Sequence, residues 1–262
     1  MKRFLPLLAL AACGPGTGHT SRPYAEPKVE DILAKLTAQR SKSTAFTAES
    51  KMDYWLGDQR VKGDVLVMGT SGKKVRFNAL SPAGGDVLVD MACDGTNFAY
   101  VDKQNNCQLT GPCDRSSIAT MLHLDLEPDD FITLALGTPP VLSGATGTTE
   151  WSGEYEKVKL SSAAGTQTIT VDLRDGRADV IDAEMKDPSG KVMWSVANKD
   201  FTDVHDATQG EHRLPSNTRF KSAAEKADLV VEWGERTINP QIDPTKFTVS
   251  IPDGLPRCGS KP

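Results

Sequence analysis

The chain has 262 residues and a formal net charge of −5, with its lysines and arginines scattered along its length. An acidic chain without a basic stripe is a poor match for a nucleic-acid-binding protein. After Cys13 no apolar stretch reaches the about 20 residues that a membrane-spanning helix needs. The sequence therefore argues against both classes and leaves a chain long enough for one large core.

The first residues combine a positive start, Lys2 and Arg3, with an apolar run from Phe4 to Leu10 that is too short to span a bilayer. Small residues then precede Cys13. This order resembles the signal of a bacterial lipoprotein, which is cut before a cysteine that carries the acyl chains. We therefore expect a signal peptide over residues 1–12 and lipidation of Cys13.

Residues 13–26 are rich in Gly, Pro, Thr and Ser and show no apolar periodicity, so they are predicted to form a lipidated flexible tether. The folded domain is predicted over residues 27–262. Gly14 follows the anchor, where enterobacterial lipoproteins of the inner membrane have an Asp. The sequence thus favours attachment to the periplasm-facing side of the outer membrane, provided that the host has one.

Four further cysteines remain, and an even number in an exported protein is most simply two disulfides, in any of three connectivities. The short loop between Cys107 and Cys113 favours that pair, which leaves Cys93 for Cys258. A metal site is disfavoured, because the spacings form no C-x-x-C pair and no histidine is near.

The first predicted element is a helix from Pro27 to Arg40. Val29, Ile32, Leu33 and Leu36 recur at helical spacing, and a proline suits the first turn. The helix has one apolar stripe, which must be buried against another element.

Apolar and polar residues then alternate, as side chains do on the two faces of a β-strand. Short turns containing Gly, Pro or Asp separate the runs, which predicts an antiparallel meander. The predicted strands are Thr44–Trp55, Val61–Met68, Val75–Ala79, Val87–Met91 and one that opens with Phe98 and Tyr100.

After Cys113 the spacing becomes helical. Ile118, Met121 and Leu122 indicate one short helix, and Pro128–Leu136 indicates a second that Gly137 ends. Two helices in the middle of a strand-rich chain need an apolar surface to cover, and the meander offers one.

The second half returns to strands, predicted at Tyr155–Ser161, Thr166–Leu173, Ala178–Met185, Lys191–Val204, Thr218–Ser222 and Leu229–Thr237. A total of about 10–12 strands with about three helices is more strands than an ordinary immunoglobulin-like domain contains. The expected fold is mainly β, of the α+β class: a strongly curved antiparallel sheet wrapped around helices.

At this point the chain resembles the LolA/LolB lipoprotein-localisation superfamily, which also includes lipid-carrier lipoproteins. The similar segments are Gly63–Val67, Arg76–Pro82, Asp94–Tyr100, Asp129–Pro139 and Asp243–Gly254. Their order and spacing carry the resemblance, since each motif alone is degenerate. The resemblance implies an unclosed β-barrel whose concave side and helical lid enclose an apolar cavity for acyl chains.

Two positions depart from the family pattern. The carrier LolA has an arginine just after its Gly-x-Leu-x-Val strand, tied to opening and closing of the lid, and the nearest residue here is Gly69. The receptor LolB has an exposed apolar residue between its third and fourth strands, where this chain has the turn Ser81–Gly85. Neither mechanism can be transferred residue by residue.

The residues expected to line the cavity come from the inward faces of the strands and from the lid helices. They are Phe46, Met52, Val65, Val67, Phe77, Val89, Phe98, Val171, Met185 and Trp194, with Met121, Leu122 and Phe131 from the lid. The competing interpretation is that these side chains form an ordinary packed core, because alternating apolar residues occur in any half-buried sheet.

Nothing in the sequence indicates an enzyme or a cofactor. His19, His123, His205 and His212 accompany no nucleophile, metalloprotease or phosphate-loop motif. The run containing His205 and His212 also holds acidic residues that could bind a metal, but such a run is more often a solvated loop. The acidic segment Asp125–Asp130 is explained as a helix start.

The sequence thus predicts a lipid-anchored periplasmic protein that binds lipid or the acyl chains of lipoproteins and acts in their transfer to the outer membrane. The expected partners are that cargo, the membrane through the anchor, and a periplasmic carrier protein. The alternative is an envelope sensor or structural lipoprotein that binds a protein partner. The first predicts an apolar void of several hundred cubic ångströms under the lid, and the second a filled interior with an exposed apolar patch.

Overall fold

The structure is a computed structural model that describes residues 21–82, 85–122, 126–206, 208, 210–223 and 226–259. The predicted signal peptide, the lipidation site Cys13 and the histidines His19 and His123 lie outside these residues. Within this part of the chain, no helix combines the length and the apolar character needed to cross a bilayer.

Three α-helices and thirteen strands are found in the described ranges. The helices are α1 (Val29–Lys42), α2 (Arg115–Leu122) and α3 (Pro128–Ala135). The strands are β1 (Ala45–Leu56), β2 (Gln59–Thr70), β3 (Lys74–Leu80), β4 (Val87–Asp94), β5 (Asn97–Asp102), β6 (Cys107–Pro112), β7 (Thr146–Trp151), β8 (Glu156–Ser162), β9 (Gly165–Asp172), β10 (Asp179–Lys186), β11 (Val192–Asp206), β12 (Gly210–Ser222) and β13 (Ala227–Ile238).

The strands form one antiparallel sheet in the order β6-β5-β4-β3-β2-β1-β13-β12-β11-β10-β9-β8-β7. The first and last strands of the chain are therefore neighbours at the centre, and β6 and β7 are the two edges. The sheet is not closed, which confirms the predicted unclosed barrel. Because β6 and β7 follow each other in sequence, the segment between them must cross from one edge to the other, and it carries α2 and α3.

The prediction missed β6, β7 and the first half of β12. Both edge strands are half-buried or exposed along most of their length, so they lack the apolar alternation that marks a strand. The polar run around His205 and His212, expected as a solvated loop, instead forms the paired ends of β11 and β12.

The last residues of the predicted tether contact the sheet rather than standing free. Arg22 Nε donates to Glu156 Oε1 at 2.6 Å, and Glu156 is completely buried. The Tyr24 ring meets Trp151 edge-on, with centroids 5.9 Å apart. The segment before α1 is thus held by a charge pair and an aromatic contact.

The four cysteines form two disulfides, but not in the favoured pairing. The bonds join Cys93 to Cys113, with Cα atoms 5.5 Å apart, and Cys107 to Cys258, at 4.9 Å. Cys107 begins β6 and Cys113 follows its end, so six extended residues separate them by about 20 Å. A disulfide needs Cα atoms within about 7 Å, which excludes the sequence-local pair.

The C-terminal segment lies on the convex face and protects an edge. Val249 packs against Ala92 and Val101 of the outer surface. Backbone hydrogen bonds join Gln108 of β6 to Pro256 and Cys258. The C-terminal segment therefore covers the start of this edge strand, at Gln108.

Candidate functional site

The concave face contains an apolar pocket where the central strands meet α3. Its walls come from β1, β2, β3 and β13, and α3 closes it from above. The lining residues are Met52, Tyr54, Val65, Val67, Phe77, Phe131, Leu229, Val231 and Trp233.

The strand register explains why these side chains meet. Across the β1–β13 pair, Met52 faces Val231 and Tyr54 faces Leu229. Each strand contributes every second residue to the concave face, so a stripe of apolar side chains runs across four strands. The Trp233 indole Nε1 donates to Thr218 at 3.0 Å, which satisfies the polar atom of this wall residue.

Helix α3 places Phe131 in the pocket. Pro128 occupies the first turn, and Asp129 and Asp130 lie where the helix dipole favours negative charge. Gly137, at φ +77°, ends the helix in the left-handed region that suits glycine. Ile132, on the buried side of α3, packs onto the sheet at Gly69.

Gly69 forms the seat of the helix. A Cβ atom placed on Gly69 would lie 2.9 Å from Ile132 Cγ1 and 3.0 Å from Phe46 Cε1, closer than side chains normally pack. The absence of a side chain therefore lets α3 rest directly on β2. Gly69 is the residue nearest to the position of the lid arginine in LolA, and in this chain it contacts α3 directly.

The pocket is small. Its free volume is about 20 Å³, about that of one water-sized sphere. This volume is far below the several hundred cubic ångströms that were expected of a cavity for acyl chains. Phe131 and the surrounding wall side chains fill most of the space between α3 and the sheet.

The predicted lining residues fall into three groups. Met52, Val65, Val67, Phe77 and Phe131 line the pocket, and Phe46 packs edge-on against its wall residue Trp233. Val89, Phe98, Val171, Met185 and Trp194 lie outside it, on other strands of the sheet. Met121 and Leu122 belong to α2, but their side chains are outside the described residues.

Four lining residues were absent from the predicted set: Tyr54, Leu229, Val231 and Trp233. The last three alternate within a correctly predicted strand, so their inward face was visible in the sequence. What was not visible is that β13 pairs with β1, which brings the last strand to the centre of the sheet.

A second, polar cavity of about 160 Å³ lies beside the end of α1. On one wall Arg213 Nε donates to Asp179 Oδ2 at 2.7 Å. Burial raises the pKa of Asp179 despite this partner. Arg213 and Asp179 thus form an ion pair in the wall of this cavity.

His212 belongs to a buried hydrogen-bond network at that cavity. Its Nδ1 lies 2.9 Å from Ser43 Oγ and its Nε2 lies 3.2 Å from Asp206 Oδ2. Asn239 joins the same network by donating to Asp206 and to the Lys42 carbonyl. The network ties the end of α1 to β11, β12 and β13, which gives the buried histidine a structural part.

His205 lies apart from this network, exposed and 3.0 Å from Glu211 Oε1. In the described ranges no three His, Cys, Asp or Glu side chains are grouped as metal ligands would be.

No protein-family model matches the chain, and no curated protein matches it. Several solved structures share its fold. A LolA superfamily protein from Nitrosomonas europaea superposes with a TM-score of 0.56 at 13% identity, covering 86% of this chain and 99% of that one. A domain described as an outer-membrane lipoprotein-sorting protein, from Vibrio parahaemolyticus, gives 0.54 at 7% identity, with 84% and 97% covered. A DUF1329 family protein from Desulfovibrio piger gives 0.53 at 12% identity, with 85% and 98% covered.

These comparisons establish that the chain has the LolA-like unclosed-barrel fold over nearly the whole length of each neighbour. At such low identities the likeness concerns the fold alone.

Proposed function

We propose that the protein binds the acyl chain of a lipid or lipoprotein on the concave face of its sheet, as a step in lipid or lipoprotein transfer within the cell envelope. The observation that carries this proposal is the apolar pocket closed by the single short helix α3. Each methylene moved from water into such a site contributes about 0.8 kcal/mol, so a chain can be held without directional contacts.

Binding requires α3 to move, because the closed pocket holds only about 20 Å³. An acyl chain would replace Phe131 against Met52, Val67 and Val231, exchanging one apolar contact surface for another. Such an exchange keeps the wall covered in both states. Displacing α3 also uncovers the surface on which its other buried residues, Ile132, Leu134 and Ala135, pack.

Two fold neighbours support the envelope setting, since one is a LolA superfamily protein and the other is described as an outer-membrane lipoprotein-sorting domain. In this proposal Cys13 carries the lipid anchor, the domain faces the periplasm, and the protein is a carrier or receptor rather than an enzyme.

The alternative, a sensor or structural lipoprotein that binds a protein partner, is favoured by the small closed volume. It also predicts an exposed apolar patch. Among the described residues the only large apolar side chain classed as exposed is Val61, at 57%. A single exposed valine is ordinary for a protein surface.

Native mass spectrometry tests the proposal on chain exported to a bacterial periplasm with Cys13→Ser. We expect co-purified mass in lipid-sized steps that is lost on denaturation. Phe131→Glu should abolish it by placing a charge in the pocket, whereas Lys62→Glu, on the opposite face of β2, should not. An apo protein that also takes up no added phospholipid would contradict the proposal and favour the partner-binding alternative.

A further inference from the structure

In the part of the chain that the structure describes, one arginine lies inside the half-barrel with two guanidinium nitrogens unpaired. Arg236 of β13 is only 9% exposed, and its Nε and Nη1 atoms have no hydrogen-bond partner in the described part of the chain. Burial alone lowers the pKa of Arg236, to about 10, so its guanidinium is still protonated at neutral pH. A buried charge without a counter-charge is unfavourable and needs an explanation.

The backbone turns this arginine inward by a β-bulge. Ala48 of β1 pairs with Arg236, and Ser50, two residues on, pairs with Trp233. Three steps on β13 therefore match two on β1, and the extra residue reverses the alternation of faces. Without the bulge, Glu235 would share the inward face of Trp233, and Arg236 would face solvent.

Gly234 makes the bulge sterically feasible. A Cβ atom on Gly234 would lie 2.6 Å from the carbonyl oxygen of Glu49, so a larger residue cannot take this backbone position unchanged. The inward direction of Arg236 is thus set by the backbone, through the bulge and Gly234, and not by the choice of a side-chain rotamer.

A second unpaired polar group lies beside it. Ser50 is 5% exposed, and its Oγ also has no partner in the described residues. Ser50 stands in the row between Val65 and Trp233, both of which line the apolar pocket. Arg236 occupies the next row along the strands.

The register sets the distance between the arginine and the pocket. In its row Arg236 faces Ala48, and Ala48 faces the pocket residue Val67 on β2. Two strand spacings of about 4.8 Å place the backbones of Arg236 and Val67 about 10 Å apart. The residue between them in this row is an alanine, and the rings of Phe46 and Trp233, which are in contact with each other, belong to the rows on either side.

From this arrangement we infer that Arg236 and Ser50 form an oxyanion subsite at the end of the apolar pocket, which takes the anionic headgroup of the bound amphiphile. The inference rests on the proposed function and names its ligand class: a carboxylate or phosphate head with an acyl chain. The guanidinium presents planar, paired N–H donors that match either oxyanion, and the serine adds an O–H donor. The headgroup supplies the counter-charge that the folded chain lacks.

Binding of charged and uncharged amphiphiles with the same chain tests the inference. The chain carrying Cys13→Ser is titrated with palmitate and with methyl palmitate, and with phosphatidic acid and the matching diacylglycerol. Intrinsic tryptophan fluorescence and native mass spectrometry report binding. We expect the anionic member of at least one pair to bind more than about tenfold tighter, since a hydrogen bond to a charged group contributes that much or more. The pair that shows the preference identifies the headgroup as carboxylate or phosphate.

Substitutions test whether Arg236 and Ser50 cause the preference for the anionic amphiphile. Arg236→Met keeps the length of the side chain and fits an apolar interior, so the protein should stay folded, with the preference lost and binding of the uncharged member kept. Ser50→Ala should reduce the preference severalfold. Arg219→Met, which removes an outward arginine paired with Asp228 on the neighbouring strand, is the matched control and should change nothing.

Two results would overturn the inference, and they differ. Equal binding of charged and uncharged members, unaffected by Arg236→Met, refutes the oxyanion subsite while the acyl-binding function stands. No binding of any of the four amphiphiles refutes the proposed function and the subsite together.

Discussion

The contact between Gly69 and α3 gives the sharpest prediction, because adding one methyl group at Gly69 should disturb the packing of the helix on the sheet. In Gly69→Ala the new Cβ would meet Ile132 Cγ1 at 2.9 Å and Phe46 Cε1 at 3.0 Å. Either α3 lifts or the sheet side chain shifts. Overpacking of this kind destabilises a core by about 1–3 kcal/mol.

Gly63→Ala is the matched control, since Gly63 lies on the same strand and the same face. The nearest atom to its added Cβ is the Leu80 carbonyl oxygen at 3.8 Å, an ordinary contact. Both substitutions restrict the unfolded chain equally, which stabilises each by about 0.4–1 kcal/mol. The difference between the two variants therefore isolates the clash, and Gly69→Ala should be about 1–3 kcal/mol less stable than Gly63→Ala.

Urea unfolding measures this difference, and stopped-flow uptake of palmitate measures the lid. If α3 lifts, uptake by Gly69→Ala should be faster, by about tenfold for each 1.4 kcal/mol of closed-state destabilisation. Equal unfolding midpoints for the two variants would refute the steric argument. A stability loss without faster uptake would show that Phe46 shifts instead, and that α3 does not control access.

Three further outcomes follow from the same contacts. Asn198→Leu should lower the free energy of unfolding by about 1–3 kcal/mol and speed palmitate uptake, because the buried Asn198 amide donates to the Gly137 carbonyl at the end of α3; an unchanged urea midpoint would contradict this. Non-reducing peptide mapping should recover a cross-linked peptide joining Cys107 to Cys258, and replacing both by serine should cost about 5 kcal/mol by the chain-entropy relation for so long a loop. Backbone N–H donors hold the pKa of the Asp94 carboxyl below its usual range. The ionised carboxylate therefore stabilises the fold above about pH 4, and this stabilisation is lost as the pH falls further. In Asp94→Asn the free energy of unfolding, measured with urea between about pH 2 and 6, should fall less steeply with falling pH.

The sequence predicted the parts of the fold that leave a local pattern. Alternation identified the central strands, and the proline and glycine at the ends of α3 identified that helix and its place as a cover. The edge strands β6 and β7 escaped because an edge strand buries few side chains. The disulfides were mispaired because short separation along the chain was taken for proximity, although an extended strand lies between Cys107 and Cys113.

The candidate site was only partly predictable for a different reason. Its walls on β1, β2 and β3 come from neighbouring strands in sequence, whereas the walls on β13 depend on the pairing of the first strand with the last. That pairing is a property of the whole topology. Arg236 shows the limit most clearly, since strict alternation from Trp233 assigns it to the solvent face and only the bulge turns it inward.

The departures from regular pattern on the concave face lie in adjacent rows. Gly69 shares a row with Phe46 and Ile238, and the next row holds Val67, Ala48 and Arg236. In each row a small residue leaves space, under α3 in one case and beside the guanidinium in the other. Sites where a sequence breaks its own local rules are where function is expected. Because these rows are neighbours on one face, a headgroup at Arg236 would lie beside the part of the sheet on which α3 packs.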